Sequence, residues 1–139
     1  MKILAIDYGM RRIGLATTDA SGTLPSPYMT IENRGYKKNV TAIGQIIAEQ
    51  DVGHVVIGLP RYPDGRDSAM TLEVQGFGKE LALATEIKID YHDEVYTSKQ
   101  AEDHIRENLG ITRPAKIKEL VDKMAAFMLL YNYLEENKS

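Results

Sequence analysis

Three carboxylates occupy positions where a folded chain rarely keeps one without a use for it. Asp7 ends the apolar run Ile3-Leu4-Ala5-Ile6 and opens a turn that contains Gly9. A carboxylate beside such a run is costly to desolvate, so it calls for a metal ion, a cation or several donors nearby. The alternative is a turn cap that bonds backbone N–H groups. Glu94 closes His92-Asp93-Glu94, just after an apolar segment with Ile87, Ile89 and Tyr91. Successive strand side chains face opposite ways, so Asp93 and Glu94 should diverge; an exposed acidic turn is the competing reading. Asp122 interrupts a strongly apolar helical stretch, and the small Ala125 and Ala126 follow it on the next turn, leaving room for an approaching ion or phosphate. Its competing reading is a solvated helix edge beside Lys118.

Together these groups suit hard divalent cations. The chain has no cysteine and only three histidines, which favours oxygen ligation by Asp7, Glu94 and Asp122 over zinc chemistry. Two Mg²⁺ or Mn²⁺ ions held about 3.5 to 4 Å apart by carboxylates can activate water and stabilise a leaving oxygen in phosphodiester hydrolysis. Gly9 allows close approach of a phosphate to the backbone, and Arg11 and Arg12 beside it complete a phosphate corner. Arg61, Lys116, Lys118 and Lys123 are further candidate phosphate contacts. A net charge of −3 argues against a general nucleic-acid coat protein, because such binding rests on clustered cations. The clumped cations still leave room for a local basic surface.

The elements that must position these groups follow from apolar period. Lys2 to Asp7 and Ile13 to Thr18 read as strands joined by a short Gly-containing turn, an antiparallel hairpin. A third strand is expected around Tyr28 to Ile31. Val40, Ile43, Ile46 and Ile47 recur at three and four residues, so Tyr36 to Gln50 reads as an amphipathic helix ended by Gly53. Val55 to Leu59 is a buried strand stopped by Pro60, with a turn at Pro63-Asp64-Gly65. A helix over Ser68 to Ala84 and a strand over Ile87 to Tyr91 follow, then a helix over Ser98 to Asn108 and a loop bracketed by Gly110 and Pro114. The last helix, Lys116 to Glu136, is apolar on more than one stripe and needs cover on two sides. With no repeat or linker, residues 1 to 139 read as one α/β domain, a mixed sheet flanked by helices on both faces. The chain lacks a leader-like opening and any apolar run of spanning length, which points to the cytoplasm and away from a membrane.

Four separated motifs resemble the YqgF or RuvX proteins. They are Ile6-Asp7-Tyr8-Gly9 with Arg12-Ile13-Gly14, Val56-Ile57-Gly58-Leu59-Pro60 with Asp64-Gly65, Asp93-Glu94, and Val121-Asp122-Lys123-Met124-Ala125-Ala126 with Tyr133-Leu134. The resemblance implies a ribonuclease H-like fold with a five-stranded sheet in the order 3-2-1-4-5. It also implies a nuclease that matures the precursor of small-subunit ribosomal RNA, with Asp7, Glu94 and Asp122 as its acidic triad. The chain departs from that pattern at Val95, where the family commonly has Arg; Arg61 is the candidate to replace that contact. In the 3-2-1-4-5 order Glu94 starts two strand spacings from Asp7, roughly 9 to 10 Å, so its side chain must lean inward or Asp64 must help. The expected partner is structured RNA or, as the nearest rival, branched DNA, with the protein a monomer or a homodimer. A non-catalytic RNA-binding module is a further alternative. An ATP-dependent phosphotransferase would share the Asp-x-Gly hairpin but needs a second domain to close over the nucleotide.

Overall fold

The computed structural model describes residues 1–94, 106–107 and 110–138, without the side chains at positions 118, 119, 122 and 123. Strands β1 (Lys2–Tyr8) and β2 (Arg12–Thr18) form the expected hairpin, and β3 (Pro25–Glu32) follows it. Helix α1 (Tyr36–Glu49), strand β4 (Val52–Leu59), helix α2 (Ala69–Thr85), strand β5 (Lys88–Asp93) and helix α3 (Pro114–Glu136) complete the described elements. The expected helix over Ser98 to Asn108 lies outside the described residues, apart from two helical positions at 106–107.

The sheet order is β3-β2-β1-β4-β5. The β1–β2 and β2–β3 pairs are antiparallel, whereas β1–β4 and β4–β5 are parallel. β1 and β4 are therefore buried on both faces, which explains their near-continuous apolar runs. Alternation divides their side chains between two cores. Leu4, Ile6, Val55 and Ile57 face α1 and α2, where Ile43, Phe77 and Leu81 meet them. Ala5, Ala16 and Val56 face α3 and pack on Ala126, Leu129 and Leu130. Small residues on both sides bring α3 close to the sheet. The second apolar stripe of α3 is used in its first half, where Ile117 and Val121 form a separate small cluster with Ile111, Leu120 and Met124.

Two expected boundaries shift. Gly53 does not end α1; Asp51 makes the reversal in a left-handed conformation at φ 54°, and Gly53 lies inside β4. The last helix starts at Pro114 rather than Lys116, with Pro114 bounding the loop as its first residue, a position where its missing N–H would have had no helical partner.

The hairpin turn next to Asp7 is held from outside. The Asn33 side chain donates to the Gly9 carbonyl at 2.9 Å, and the Asn33 N–H donates to the Arg11 carbonyl at 2.9 Å. Asn39, almost fully buried, donates to Asn33 Oδ1 at 2.8 Å and accepts from the Arg34 N–H at 2.9 Å. Removing one member leaves buried polar atoms unpaired, so Asn39→Ala is expected to lower unfolding free energy by about 1–3 kcal/mol. Urea unfolding monitored by circular dichroism measures this, and an unchanged midpoint would show that the network carries no stability.

Candidate active site

Asp7 is the penultimate residue of β1, opposite Gly14 of β2. On its other side Ile6 pairs with Ile57, which brings Gly58 to the level of Asp7 on β4. Gly58 in turn pairs with His92 of β5. The Glu94 N–H continues that ladder by donating to the Leu59 carbonyl at 3.1 Å. Alternation then sends residues 92 and 94 to the face covered by α3, the face that Asp7 shares.

The gap between Glu94 and Asp7 is closed over a strand that lacks a side chain. A Cβ placed on Gly58 would stand 3.0 Å from Glu94 Oε2, 3.2 Å from Glu94 Cδ and 3.2 Å from Leu129 Cδ2. The Glu94 side chain thus lies directly over Gly58, under Leu129 of α3, and forms a side-chain hydrogen bond with Asp7. Of the two routes open at the outset, inward lean and help from Asp64, the structure takes the first. Asp64 is turned to its own loop, accepting from the Arg66 N–H at 3.0 Å and from Arg66 Nε at 2.5 Å.

Two carboxylates in contact cannot both keep their charge in a dehydrated setting. Burial, then the charge of Asp7, then the hydrogen bond to Asp7 push the Glu94 pKa from the usual 4.5 up to about 9. At neutral pH the pair shares a proton. A divalent cation would reverse that preference by compensating both charges, and the donor set is all oxygen, as such cations require. Asp7 and Glu94 therefore fit a metal ion. Among the described residues they form a pair, and no group of three or more His, Asp or Glu side chains is suitably placed for a metal.

Asp122, Lys118 and Lys123 lie on α3, but their side chains fall outside the described residues, and Val95 lies outside them altogether. The helix backbone places position 122 one turn before Ala126, whose side chain packs in the core with Ala5. Arg11 is exposed on the β1–β2 turn, Arg12 is exposed at the first position of β2, and Lys116 is exposed near the start of α3. Gly9 shapes the turn: its N–H donates to the Arg12 carbonyl at 3.0 Å, and a Cβ there would collide with that same oxygen. Arg61 is engaged by carboxylates, with Nη1 at 3.1 Å from Asp67 and Nε at 3.3 Å from Asp93. Asp93 thus diverges from Glu94 as expected. His92 lies 2.8 Å from Glu136 of α3, a bracing contact between β5 and that helix.

Sequence reasoning did not single out Gly58, although the site depends on it. The signal was there, an apolar strand ending in Gly-Leu-Pro, but only the strand order shows what the missing side chain permits.

The family model described as "RuvX: Holliday junction resolvase" matches residues 1–136. A protein of Thermoanaerobacter pseudethanolicus described as "Putative pre-16S rRNA nuclease" is 37% identical over 139 residues, covering 100% of this chain and 99% of the relative. One from Chloroflexus aggregans with the same description is 36% identical over 137 residues, covering 99% and 95%. Among solved structures, the Fowlpox virus resolvase in complex with Holliday junction DNA aligns with a TM-score of 0.63 at 14% identity, covering 100% of both chains. Thermus thermophilus RuvC in complex with a Holliday junction substrate aligns with a TM-score of 0.58 at 13% identity, covering 97% and 96%. The structural likeness establishes the ribonuclease H-like fold.

The shared proton makes a test of the pair that needs no substrate. Glu94 binds its proton more tightly in the folded protein than in the unfolded chain, whose pKa is near 4.5. Stability from this group is fully present below that value and is lost as pH rises toward 9, by at most about 1.4 kcal/mol per pH unit for one proton. In chelator, Glu94→Gln should melt above the wild type at pH 8 and converge with it at acid pH. Parallel Tm–pH curves for the two proteins would refute the contact.

Proposed function

Because this chain belongs to the RuvX family, we propose that it is a divalent-metal-dependent endonuclease that hydrolyses phosphodiester bonds in structured RNA, at the 5′ end of the precursor of 16S ribosomal RNA. The observation that carries this reading is the contact between Asp7 and Glu94 over Gly58, a half-buried pair of carboxylates at the carboxyl ends of β1 and β5, the strands on either side of β4. Such a pair is unfavourable as a structural device and gains a purpose when cations are held there. The full-length relatives named for pre-16S rRNA direct the reading to RNA. We place residues 1–139 in one nuclease domain acting in the cytoplasm; no described helix is long and apolar enough to cross a membrane.

Asp7 and Glu94, with Asp122 as the third carboxylate, would hold Mg²⁺ or Mn²⁺. Ions held there would supply Lewis acidity for phosphodiester hydrolysis. The chain itself does the rest. Glu94 would have to give up the proton it shares with Asp7 for both carboxylates to hold a cation, which would couple loading to pH. Leu129 of α3 closes over Gly58 beside the Glu94 carboxylate and helps to hold it in place. Arg11, on the turn that Asn33 and Asn39 hold, and Arg12, where β2 begins, would offer charge-assisted donors to phosphates flanking the scissile bond, and Lys116, with Lys118 and Lys123, would offer more from α3. Arg61 contributes less charge than its type suggests, because Asp67 and Asp93 already offset it.

Purified protein incubated with precursor rRNA, and in parallel with a four-way DNA junction, distinguishes the readings. RNA cleavage in Mg²⁺ or Mn²⁺ that chelator abolishes is expected. Asp7→Asn should reduce the rate by roughly a hundredfold or more, since the Lewis-acid contribution is worth several kcal/mol. Preferential junction cleavage would transfer the assignment to branched DNA, and RNA cleavage that persists in chelator would end the metal mechanism.

The role of Gly58 can be tested separately. Gly58→Val would fill the space through which Glu94 reaches Asp7, displacing that carboxylate. Cleavage should fall about as far in Gly58→Val as in Glu94→Gln, and the double variant should fall no further. Wild-type rates in Gly58→Val would show that Glu94 does not act from this position.

A further inference from the structure

A second concavity, about 380 Å³ in volume, adjoins the carboxylate pair. Leu59, Arg61, Tyr62, Pro63, Asp93 and Glu94 line it, so it shares Glu94 with the candidate active site. It stands near the small end of the range of roughly 300 to 1,000 Å³ typical of sites for compact ligands.

Its wall is a stiff turn. The Tyr62 N–H donates to the Arg66 carbonyl at 3.0 Å, the Gly65 N–H donates to the Tyr62 carbonyl at 2.8 Å, and Arg61 pairs with Asp67 as an isolated bridge. Asp64 ties the Arg66 backbone and guanidinium together. At its base, the fully buried Thr71 of α2 donates its hydroxyl to the Pro60 carbonyl. An exposed aromatic on such a turn is already ordered before any ligand arrives. Arg66 lies over one face of the Tyr62 ring, 5.1 Å from its centre, and yet the residue is still 49% exposed. What sets Tyr62 apart from other exposed aromatics is its place in a concavity shared with Glu94.

We propose that this concavity is a nucleobase site in which Tyr62 stacks an unpaired base of the RNA next to the scissile phosphate. The proposal rests on the nuclease reading for its substrate class. The chemistry fits a base in three ways. Tyr62 and Pro63 are flat apolar surfaces for a ring, and Arg66 polarises the stacked platform from behind. Arg61 and Asp93, already oriented by their ion pair at 3.3 Å, stand in the same wall with donors and an acceptor suited to a base edge. The site joins Glu94, so a base seated there fixes which phosphate reaches the carboxylates. Specificity for cleavage position would then come from one splayed base, while Arg11 and Arg12 contact phosphates without regard to sequence.

The test uses the full-length protein in the Asp7→Asn background, with short fluorescein-labelled RNAs of one sequence, each carrying a single abasic residue at a different position. Affinity should drop at one abasic position by between about fivefold and 150-fold, the range for losing one base–aromatic stack. Adding Tyr62→Ala should produce the same drop on intact RNA and no further drop on that abasic RNA. Tyr62→Phe should keep the parent's affinity, and circular dichroism should show all variants folded. Unchanged binding in Tyr62→Ala, or a loss of equal size on every RNA, would overturn the base site. The two readings separate cleanly. If wild-type protein cleaves nothing but the coupling between Tyr62 and one base is seen, the base site stands and the nuclease reading falls. Cleavage without the coupling leaves the nuclease and removes the site.

Discussion

Asp7 and Glu94 come from strands that are not neighbours, and they meet because the strand between them presents only backbone at that level. Everything near the site follows from this contact. β4 must be apolar on both faces to lie in the middle of the parallel half of the sheet, yet it must end in a residue that leaves the α3 face open; Gly58 does so while Ile57 and Leu59 continue the opposite core. β5 must pair with β4 in a register that puts even-numbered residues over that opening. α3 must come close enough for Leu129 to cover the pair, which the alanines at positions 5, 16 and 126 permit. A bulky side chain at any of these places would separate the carboxylates or lift the helix.

Much of the architecture was legible from periodicity, because the sheet is built from strands whose burial writes itself directly into composition. Lys2 to Asp7 and Val55 to Leu59 read as doubly buried strands and are so. The site was legible in part. Asp7 stood out on its own terms, as a carboxylate at the end of an apolar strand, and Asp93 and Glu94 were separable by alternation alone. What could not be read was the outcome of competition between distant residues. Nothing local says whether Asp64 turns toward Glu94 or toward Arg66; the two-residue loop to Arg66 wins because it needs no chain rearrangement. Arg61, with two carboxylates within reach from different segments, was likewise invisible as an ion-paired residue until β5 and the loop after β4 were brought together. The boundary at Gly53 failed for a related reason. Glycine commonly ends a helix, but here Asp51 took the left-handed conformation first, leaving Gly53 free to enter the strand.

An acidic chain that handles a polyanion poses an electrostatic question, and the distribution of charge answers it. Part of the negative charge is offset internally: Glu94 by the proton it shares with Asp7, and one of the two charges of Asp67 and Asp93 by Arg61. Cations at Arg11, Arg12 and Lys116 are exposed on elements that border the site. The net charge of the sequence therefore understates how receptive the active-site side is to phosphate, especially once divalent ions are bound there.

A second carboxylate on the same strand and the same face shows why the Asp7–Glu94 pair is not an ordinary structural feature. Asp90 pairs in register with Val56, one strand spacing from the core under α3. Burial acts to raise its pKa, but the Tyr133 hydroxyl, donating at 2.9 Å, and His54, 2.8 Å away, outweigh that and hold Asp90 below the usual carboxylate range. Asp90 is thus met by a hydroxyl donor from α3 and an imidazole from β4, and these contacts fasten α3 to β4 and β5. Glu94, four residues on, meets another carboxylate, and its pKa moves the opposite way. One strand, one face and one type of acid end in opposite protonation states because their partners differ. Folding alone accounts for the Asp90 arrangement. The Glu94 arrangement opposes folding as pH rises, and such a cost is retained where the same two groups bind something that the folded chain does not itself contain.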